Sequence, residues 1–445
     1  MGLTVKLIDD TNVMANYSLG VFHLTDRGEG KMGTKSVSVP RQMWYDEGEL
    51  QLEFPESWEV VPCLMNGHNA SHITPEQIMA AFNEPVGGPT LRELARGRNE
   101  VAIVFDDISR PTRVAEFVPY VLEELEAAGI PDSAIRFVCS TGTHGAHTYQ
   151  DFQKKLGKEI LDRFPVYNHN VYENCRYVGQ TSQGTKLAVN SEVMGCDLKI
   201  AIGSVVPHPQ SGYGGGGKII LPGIASIDSI EAFHLLEIRA REVGQANIVG
   251  PGNYLENPLV KDFSEAARMV GLDFKIDTII NGNGEPCAIF TGEPEAEFYE
   301  AVRFAVPHYA TKAVPGADVV VVNNYSKGNE AMVGLLIGIP ILMEKGGDLV
   351  LIVDCPAGQV VHYLLGSFGK EARGRLFSPI DFKLPWLKRV VVLSPQFEKS
   401  FTDWLAIPDA VWVKTWPEVM DVLTQDFPNG ARAAVVPDGT IQYLA

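Results

Sequence analysis

Short, continuous apolar runs recur along this chain with helix-length segments between them, and they leave it few architectures. The runs are VAIVF from Val101, IRFVCS from Ile135, LKIAIGS from Leu198, ADVVVVNN from Ala317, DLVLIVD from Asp348 and RVVVLS from Arg389. A strand with one wet face alternates polar and apolar residues. An unbroken β-branched run instead needs cover on both faces, as in a mainly parallel sheet flanked by helices. Between the first two runs, PYVLEELEAAGI has helical spacing and a terminal glycine. The fold class expected is therefore α/β. At about 100 to 200 residues per domain, the 445 residues make two or three domains. A fresh strand series opens near residue 300, so we expect one domain over 1–305 and another over 306–425, with 426–445 returning to the first.

Composition narrows the partners. The formal net charge is −18 and no Lys/Arg-rich run interrupts the acidic balance, which opposes the basic footprint that nucleic acid requires. No apolar stretch is long enough for a membrane span. The opening MGLTVKLIDDTNVMANYSLG lacks a long apolar run behind a basic end, so no secretory signal is read and the cytoplasm is expected. The six cysteines are scattered and form no CxxC pair, against a zinc knuckle or iron–sulfur cluster.

Four constellations can carry chemistry. Asp106-Asp107-Ile108-Ser109-Arg110-Pro111 directly follows the first strand, where ligands of open α/β sheets bind. It reads either as an Asp-rich turn or as an Asp and Arg that orient polar groups. Ser140-Thr141-Gly142-Thr143-His144 follows the second strand and places hydroxyls and a glycine before an imidazole. HPQSGYGGGGKIILPG, from His208 to Gly223, formally spells most of a P-loop. Ile219 replaces the Ser/Thr that would hold magnesium, which disfavours a nucleoside triphosphatase. Four consecutive glycines are costly in backbone entropy and imply close approach or special turns. The lysine they deliver, Lys218, is a candidate nucleophile or charge anchor. Last, Asp228 as N-cap with Glu231 three residues on reads as a helix start, and His234 follows Ile227 and Ile230 on the inward face, as a core histidine or a metal ligand.

Together these elements resemble the nickel-dependent lactate racemase family. The resemblance rests on DDISRPT at 106–112, STGTH at 140–144, the unit from His208 through GGGGK and LPGIAS to His234, and VVPDG at 435–439, and so covers most of the chain. It implies two α/β domains with the active site in the cleft between them. It also implies a nickel pincer nucleotide, a pyridinium mononucleotide that binds nickel through two sulfurs and a ring carbon. By the same resemblance Lys218 tethers the cofactor through a thioamide, His234 is the protein ligand to nickel, and His144 and His208 are the acid/base pair. Asp107 and Arg110 then support the histidines and the substrate. Phosphate is expected among Ser140, Thr141, Gly142 and Thr143, or Gly214, Gly215, Gly216 and Gly217. The reaction implied is racemisation or epimerisation at C2 of a 2-hydroxy acid by proton-coupled hydride transfer. The partners implied are that small acid and the proteins that make and insert the cofactor; a homo-oligomer is left open.

This chain departs from the family in places. An arginine before the tethering lysine and another after the first histidine are replaced by Gly217 and Gly145. The Gln and Lys that grip the lactate carboxylate fall, in VNNYSKGNEAMVGLLIG, on Val333 and Leu336. The polar residues of that loop are Asn324, Tyr325, Lys327, Asn329 and Glu330, with Lys327 the candidate for the lost charge. The substrate expected is a 2-hydroxy acid other than lactate, with a polyhydroxylated or otherwise larger acid in view. Nucleotide or metal binding without turnover, or another isomerase or hydride-transfer reaction with the same cofactor, are the alternatives.

Overall fold

A computed structural model describes residues 34–45, 48–369, 371–378, 384–396, 407 and 409–445. The opening segment read for a secretory signal lies outside them. Each apolar run forms a strand. In the first sheet the order is Pro286–Gly292, Phe274–Ile280, Leu198–Ser204, Val101–Asp106, Ile135–Ser140, Val166–Asn168. All neighbours are parallel except the antiparallel pair Phe274–Ile280 and Pro286–Gly292. Every residue of Val101–Asp106 is buried, and the period-two pleat divides them between two cores. Ala102 and Val104 join Leu221, Ile230 and Phe263, whereas Val101, Ile103 and Phe105 join Val118, Val121 and Phe152. The unbroken runs thus reflect helices on both faces.

The second sheet is parallel throughout, in the order Val411–Val413, Leu387–Leu393, Gly347–Ile352, Val319–Asn323, Arg432–Val436, Glu59–Pro62. Two expected boundaries are corrected by it. Glu59–Pro62 is its edge strand, with Val60 opposite Ala433. Ahead of that strand, the antiparallel pair Thr34–Pro40 and Glu49–Pro55 packs Val37, Leu52 and Phe54 against Val321, Val350 and Trp416. The described residues from 34 to 62 therefore pack with the second sheet, although the sequence reading assigned them to the first domain. Arg432–Val436 likewise lies inside the second sheet instead of returning to the first. Behind it, Ile441 and Tyr443 do pack on the first core. No local signal marks such a choice: an AAVV run suits a buried parallel strand of either sheet.

Both sheets are doubly wound, and their topology locates the ligand end. In the first, the chain runs outward from Val101–Asp106 on one side and then places Leu198–Ser204 on the other. In the second, Val319–Asn323 stands in the same way beside Arg432–Val436. Ligands of open α/β sheets bind beyond the carboxyl ends of strands at such reversals. The segments leaving these strands are 106–112, 140–144, 204–218 and 324–330. Among the described residues no helix is long and apolar enough to cross a membrane.

Candidate active site

A cavity of about 510 Å³ opens at these strand ends. The first-sheet segments contribute Asp107, Arg110, His144, His208, Lys218 and His234 to its lining, and the second-sheet segments contribute Lys327, Glu330, Val333, Leu336 and His362. Every residue assigned above to acid/base work, tethering or metal ligation thus reaches one space.

His144 is held at both ring nitrogens. Asp107 Oδ2 lies 2.5 Å from Nδ1 and Glu330 Oε1 lies 3.4 Å from Nε2. Asp107 is itself fixed by the backbone N–H and hydroxyl of Ser109, at 2.9 and 2.5 Å. A carboxylate at Nδ1 places that proton on Nδ1 and turns Nε2 toward Glu330 and the cavity. Burial lowers the His144 pKa, but the Asp107 and Glu330 carboxylates outweigh it and the net shift is upward. Asp107 is the mirror case. Burial raises its pKa, yet His144 and His147 hold the carboxyl well below the usual range. Arg110 donates to Glu330 Oε2 at 2.7 Å and to Ser109 Oγ at 2.8 Å, closing a buried network between loops of the two sheets.

His208 has the opposite environment. Burial, then Lys218, Lys327 and Arg110, push its pKa well below the ordinary value, so it is neutral. Its Nδ1 accepts from the backbone N–H of Gln210 and of Ser211, at 3.2 and 3.3 Å, which leaves the ring proton on Nε2. Environments that push two titratable groups apart mark a division of proton roles.

Lys218 sits within a 3-10 turn, Gly216–Ile219, packed beneath the helix Pro258–Val270. Its Nζ makes no hydrogen bond or ion pair among the described residues. Burial, and then Arg110, depress it to about 7, so a large fraction is the free amine near neutral pH. The four glycines divide their work. Gly214 and Gly215 line the cavity, whereas Gly216 and Gly217 are packing positions, where an added Cβ would meet Phe298 Cδ2 at 2.7 Å and Phe263 O at 2.4 Å. Since Phe263 O belongs to a helix backbone, Gly217→Ala is expected to cost about 1–3 kcal/mol; an unchanged urea midpoint would contradict this packing. The N–H groups of Thr141, Gly142, Gly214 and Gly216 are already bonded to Cys139 O, Gly223 O, Val206 O and Asp277 Oδ2. These donors therefore do not form the open phosphate cradle expected of the two loops, although Ser140, Thr141, Gly142 and Thr143 all line the cavity.

His234 lies on the helix Ile227–Glu242, whose N-cap is Ser226; Asp228, read as the cap, sits in the first turn and pairs with Arg375. One helical turn back, Ile230 O accepts from His234 Nδ1 at 2.8 Å, leaving Nε2 with a lone pair. Burial lowers its pKa to about 4, so the ring is neutral. Among the described residues no group of three or more His, Cys, Asp or Glu is placed to hold a metal by itself.

Of the second-sheet residues read as substrate contacts, Lys327 lines the cavity, and Asn324, Tyr325 and Asn329 do not. Asn324 is 2% exposed, against Gly334. Tyr325 donates to Asn283 O at 3.1 Å, and Asn329 O accepts from Val360 N. Their polarity in a loop was the whole signal, and it does not give direction. Val333 and Leu336 both line the cavity. Sequence reasoning missed His362, whose ring centroid lies 5.4 Å from that of His144, and left His147 without a role. His147 Nε2 is 3.5 Å from Asp107 Oδ2. Neither sits in a motif.

Comparison with known proteins finds lactate racemases. Residues 45–245 match the lactate racemase N-terminal domain family. The lactate racemase of Thermoanaerobacterium thermosaccharolyticum is 26% identical over 334 residues, 73% of this chain and 75% of that protein. The lactate racemase of Lactiplantibacillus plantarum is 30% identical over 223 residues, 50% of this chain and 51% of that protein. In fold, the structure of the T. thermosaccharolyticum lactate racemase apoprotein superposes with a TM-score of 0.67 at 21% identity, covering 92% of this chain and all of that one. A Thermotoga maritima protein of known structure superposes at 0.60 and 18% identity, covering 81% of this chain. Residues 45–245 thus carry the lactate racemase N-terminal domain, and over most of its length the chain is similar in sequence and fold to a lactate racemase.

Proposed function

We propose that this protein is a racemase or epimerase that inverts C2 of a 2-hydroxy acid other than lactate, using a tethered nickel pincer nucleotide in the cavity between its two α/β domains. One observation carries the reading: His144, His208, Lys218 and His234 line a single cavity. The donor set fits the cofactor. Lys218 has a depressed, unpaired amine that would attack a thiocarboxylic acid carbon of the bound group and form a thioamide with loss of water. His234 presents a neutral imidazole with Nε2 open, as a nickel ligand requires, and a metal there needs its remaining donors from a bound group. When bound, the nucleotide supplies a hydride acceptor, which allows inversion through a planar 2-keto acid without removing the weakly acidic C2 proton.

The chain's own residues manage the hydroxyl proton. His144 Nε2 accepts it, and the imidazolium so formed is stabilised by Asp107 on Nδ1 and by Glu330. To reach Nε2, the substrate hydroxyl takes the place next to it that Glu330 Oε1 holds at 3.4 Å. His208, neutral with its ring proton on Nε2, hydrogen-bonds the substrate oxygen, and the His144 imidazolium returns its proton to that oxygen when the alcohol is re-formed. Arg110 keeps Glu330 ionised and within the site. The cytoplasm and dependence on separate cofactor-making and inserting proteins belong to the same proposal.

The test is coexpression with cofactor-synthesis proteins, followed by intact mass, bound nickel and chiral assay of 2-hydroxy acids. We expect a covalent adduct at Lys218, near-stoichiometric nickel, loss of the adduct in Lys218→Ala, and interconversion of enantiomers. No adduct in a preparation where a racemase control loads normally would instead favour a binding protein without turnover.

A further inference from the structure

The proposed reaction leaves the substrate's C2 substituent open, and the cavity wall bears on it. Apart from Lys327, Glu330, His362 and Ser378, the lining from the second-sheet segments is hydrocarbon: Met332, Val333, Leu336, Leu365, Leu376 and Phe377. Leu336 and Leu365 are 47% and 38% exposed while lining the cavity. Large apolar side chains left open to solvent inside a concave site are surface that an apolar ligand group can cover.

The supply of free cations is correspondingly small. Arg110 is committed to Glu330 at 2.7 Å, and Lys275 to Asp277 at 2.5 Å. Lys218 is consumed by the tether. Lys327 is the cavity cation left uncommitted among the described residues: its Nζ has one hydrogen bond, to Pro207 O at 3.4 Å. It can therefore take one carboxylate. Groups for a row of further hydroxyls are not supplied by Asn324 or Asn329, which lie off the cavity, so the wall disfavours the polyhydroxylated acid that the sequence left in view.

Resting on the racemase reading, we infer that the substrate is a 2-hydroxy acid with a bulky, uncharged hydrocarbon group at C2, branched aliphatic or aromatic. Lys327 anchors its carboxylate, and Met332, Val333 and Leu336 with Leu365, Leu376 and Phe377 cover its side chain. One methylene in an apolar pocket is worth roughly 10–200-fold in discrimination, so the preference over lactate is readily measured.

The experiment compares enantiopure lactate, 2-hydroxy-4-methylpentanoate, 3-phenyllactate and gluconate on nickel-loaded enzyme whose adduct has been verified by mass. Binding of the same acids to the apoprotein is followed by calorimetry. The branched or aromatic acid is expected to exceed lactate by at least about tenfold in kcat/KM, with gluconate inert. It is also expected to bind the apoprotein with a negative heat-capacity change, and Lys327→Met should weaken that binding. In Val333→Asn/Leu336→Gln the ratio of bulky acid to lactate should narrow by about tenfold or more. Preference for lactate or gluconate by the loaded enzyme would overturn the substrate assignment and leave the racemase reading standing. A loaded enzyme that inverts none of the four acids would overturn the racemase reading, and the substrate assignment with it.

Discussion

Asp107→Asn is expected to lower kcat of the loaded enzyme by about 10²–10⁴-fold, the range that a positioned general base contributes, while nickel content and urea midpoint change little. The argument is one of proton position. Asp107 Oδ2, 2.5 Å from His144 Nδ1, accepts the Nδ1 proton and leaves Nε2 free to receive another. An asparagine amide that donates to Nδ1 reverses the tautomer, so Nε2 then carries the proton and the base is lost. Ser109 orients Asp107 through Oδ1 and will orient the replacement as well. The pH dependence gives a second readout. Burial lowers the His144 pKa, and the carboxylates raise it further than burial lowers it; the basic form is therefore lost as pH falls through a raised pKa. Removing the Asp107 charge moves that pKa down, and the acid limb of the residual activity should shift to lower pH. Full activity in the variant, or an acid limb that does not move, would remove His144 from the role of base.

Legibility of the fold followed the range of the signal. Val101–Asp106 and Val319–Asn323 could be read directly because a β-branched run with no polar alternation has few stable settings other than a doubly covered parallel strand. The loops after them could be read because strand ends are where α/β ligands bind, and His144, His208, Lys218 and His234 do meet there. What stayed hidden was pairing between distant segments. The register of Val60 with Ala433 leaves no trace in either short run, so the N-terminal strands and the last buried strand were assigned to the wrong sheet. Side-chain direction was hidden for a related reason. Within one loop, Lys327 turns into the cavity and Asn329 away from it, because loop backbone has no fixed period from which facing can be computed. The glycine run was half legible. Its cost demanded a reason, but only packing shows that Gly214 and Gly215 border the ligand space while Gly216 and Gly217 admit two helices.

Acid should destabilise the apoprotein through histidines that the reaction does not use. His68 and His169 are 8% and 4% exposed, and burial lowers each from 6.5 to about 4. A group with a depressed folded pKa stabilises fully above its unfolded value and loses that contribution as pH falls toward the folded one. The window is therefore pH 6.5 down to 4, and at pH 5 each histidine should cost about 2 kcal/mol relative to pH 7.5. Asp262, Asp438 and Glu297, raised by burial, act with the opposite sign, so the histidine contribution is isolated by substitution. His169 is the informative site. Its Nε2 donates to Ala225 O at 2.9 Å, its Nδ1 accepts from Asn190 at 3.2 Å, and its backbone O receives the hydroxyl of Thr141 beside the catalytic loop. His169→Gln is expected to flatten urea-derived stability between pH 7.5 and 5 by about 2 kcal/mol, whatever it costs at neutral pH. A slope equal to that of the parent would show that His169 does not stay neutral in the fold. The same ring, once protonated, loses its Nδ1 acceptor and pushes against the amide of Asn190. Acid inactivation should therefore begin in the segment that carries Thr141 and His144, ahead of global unfolding.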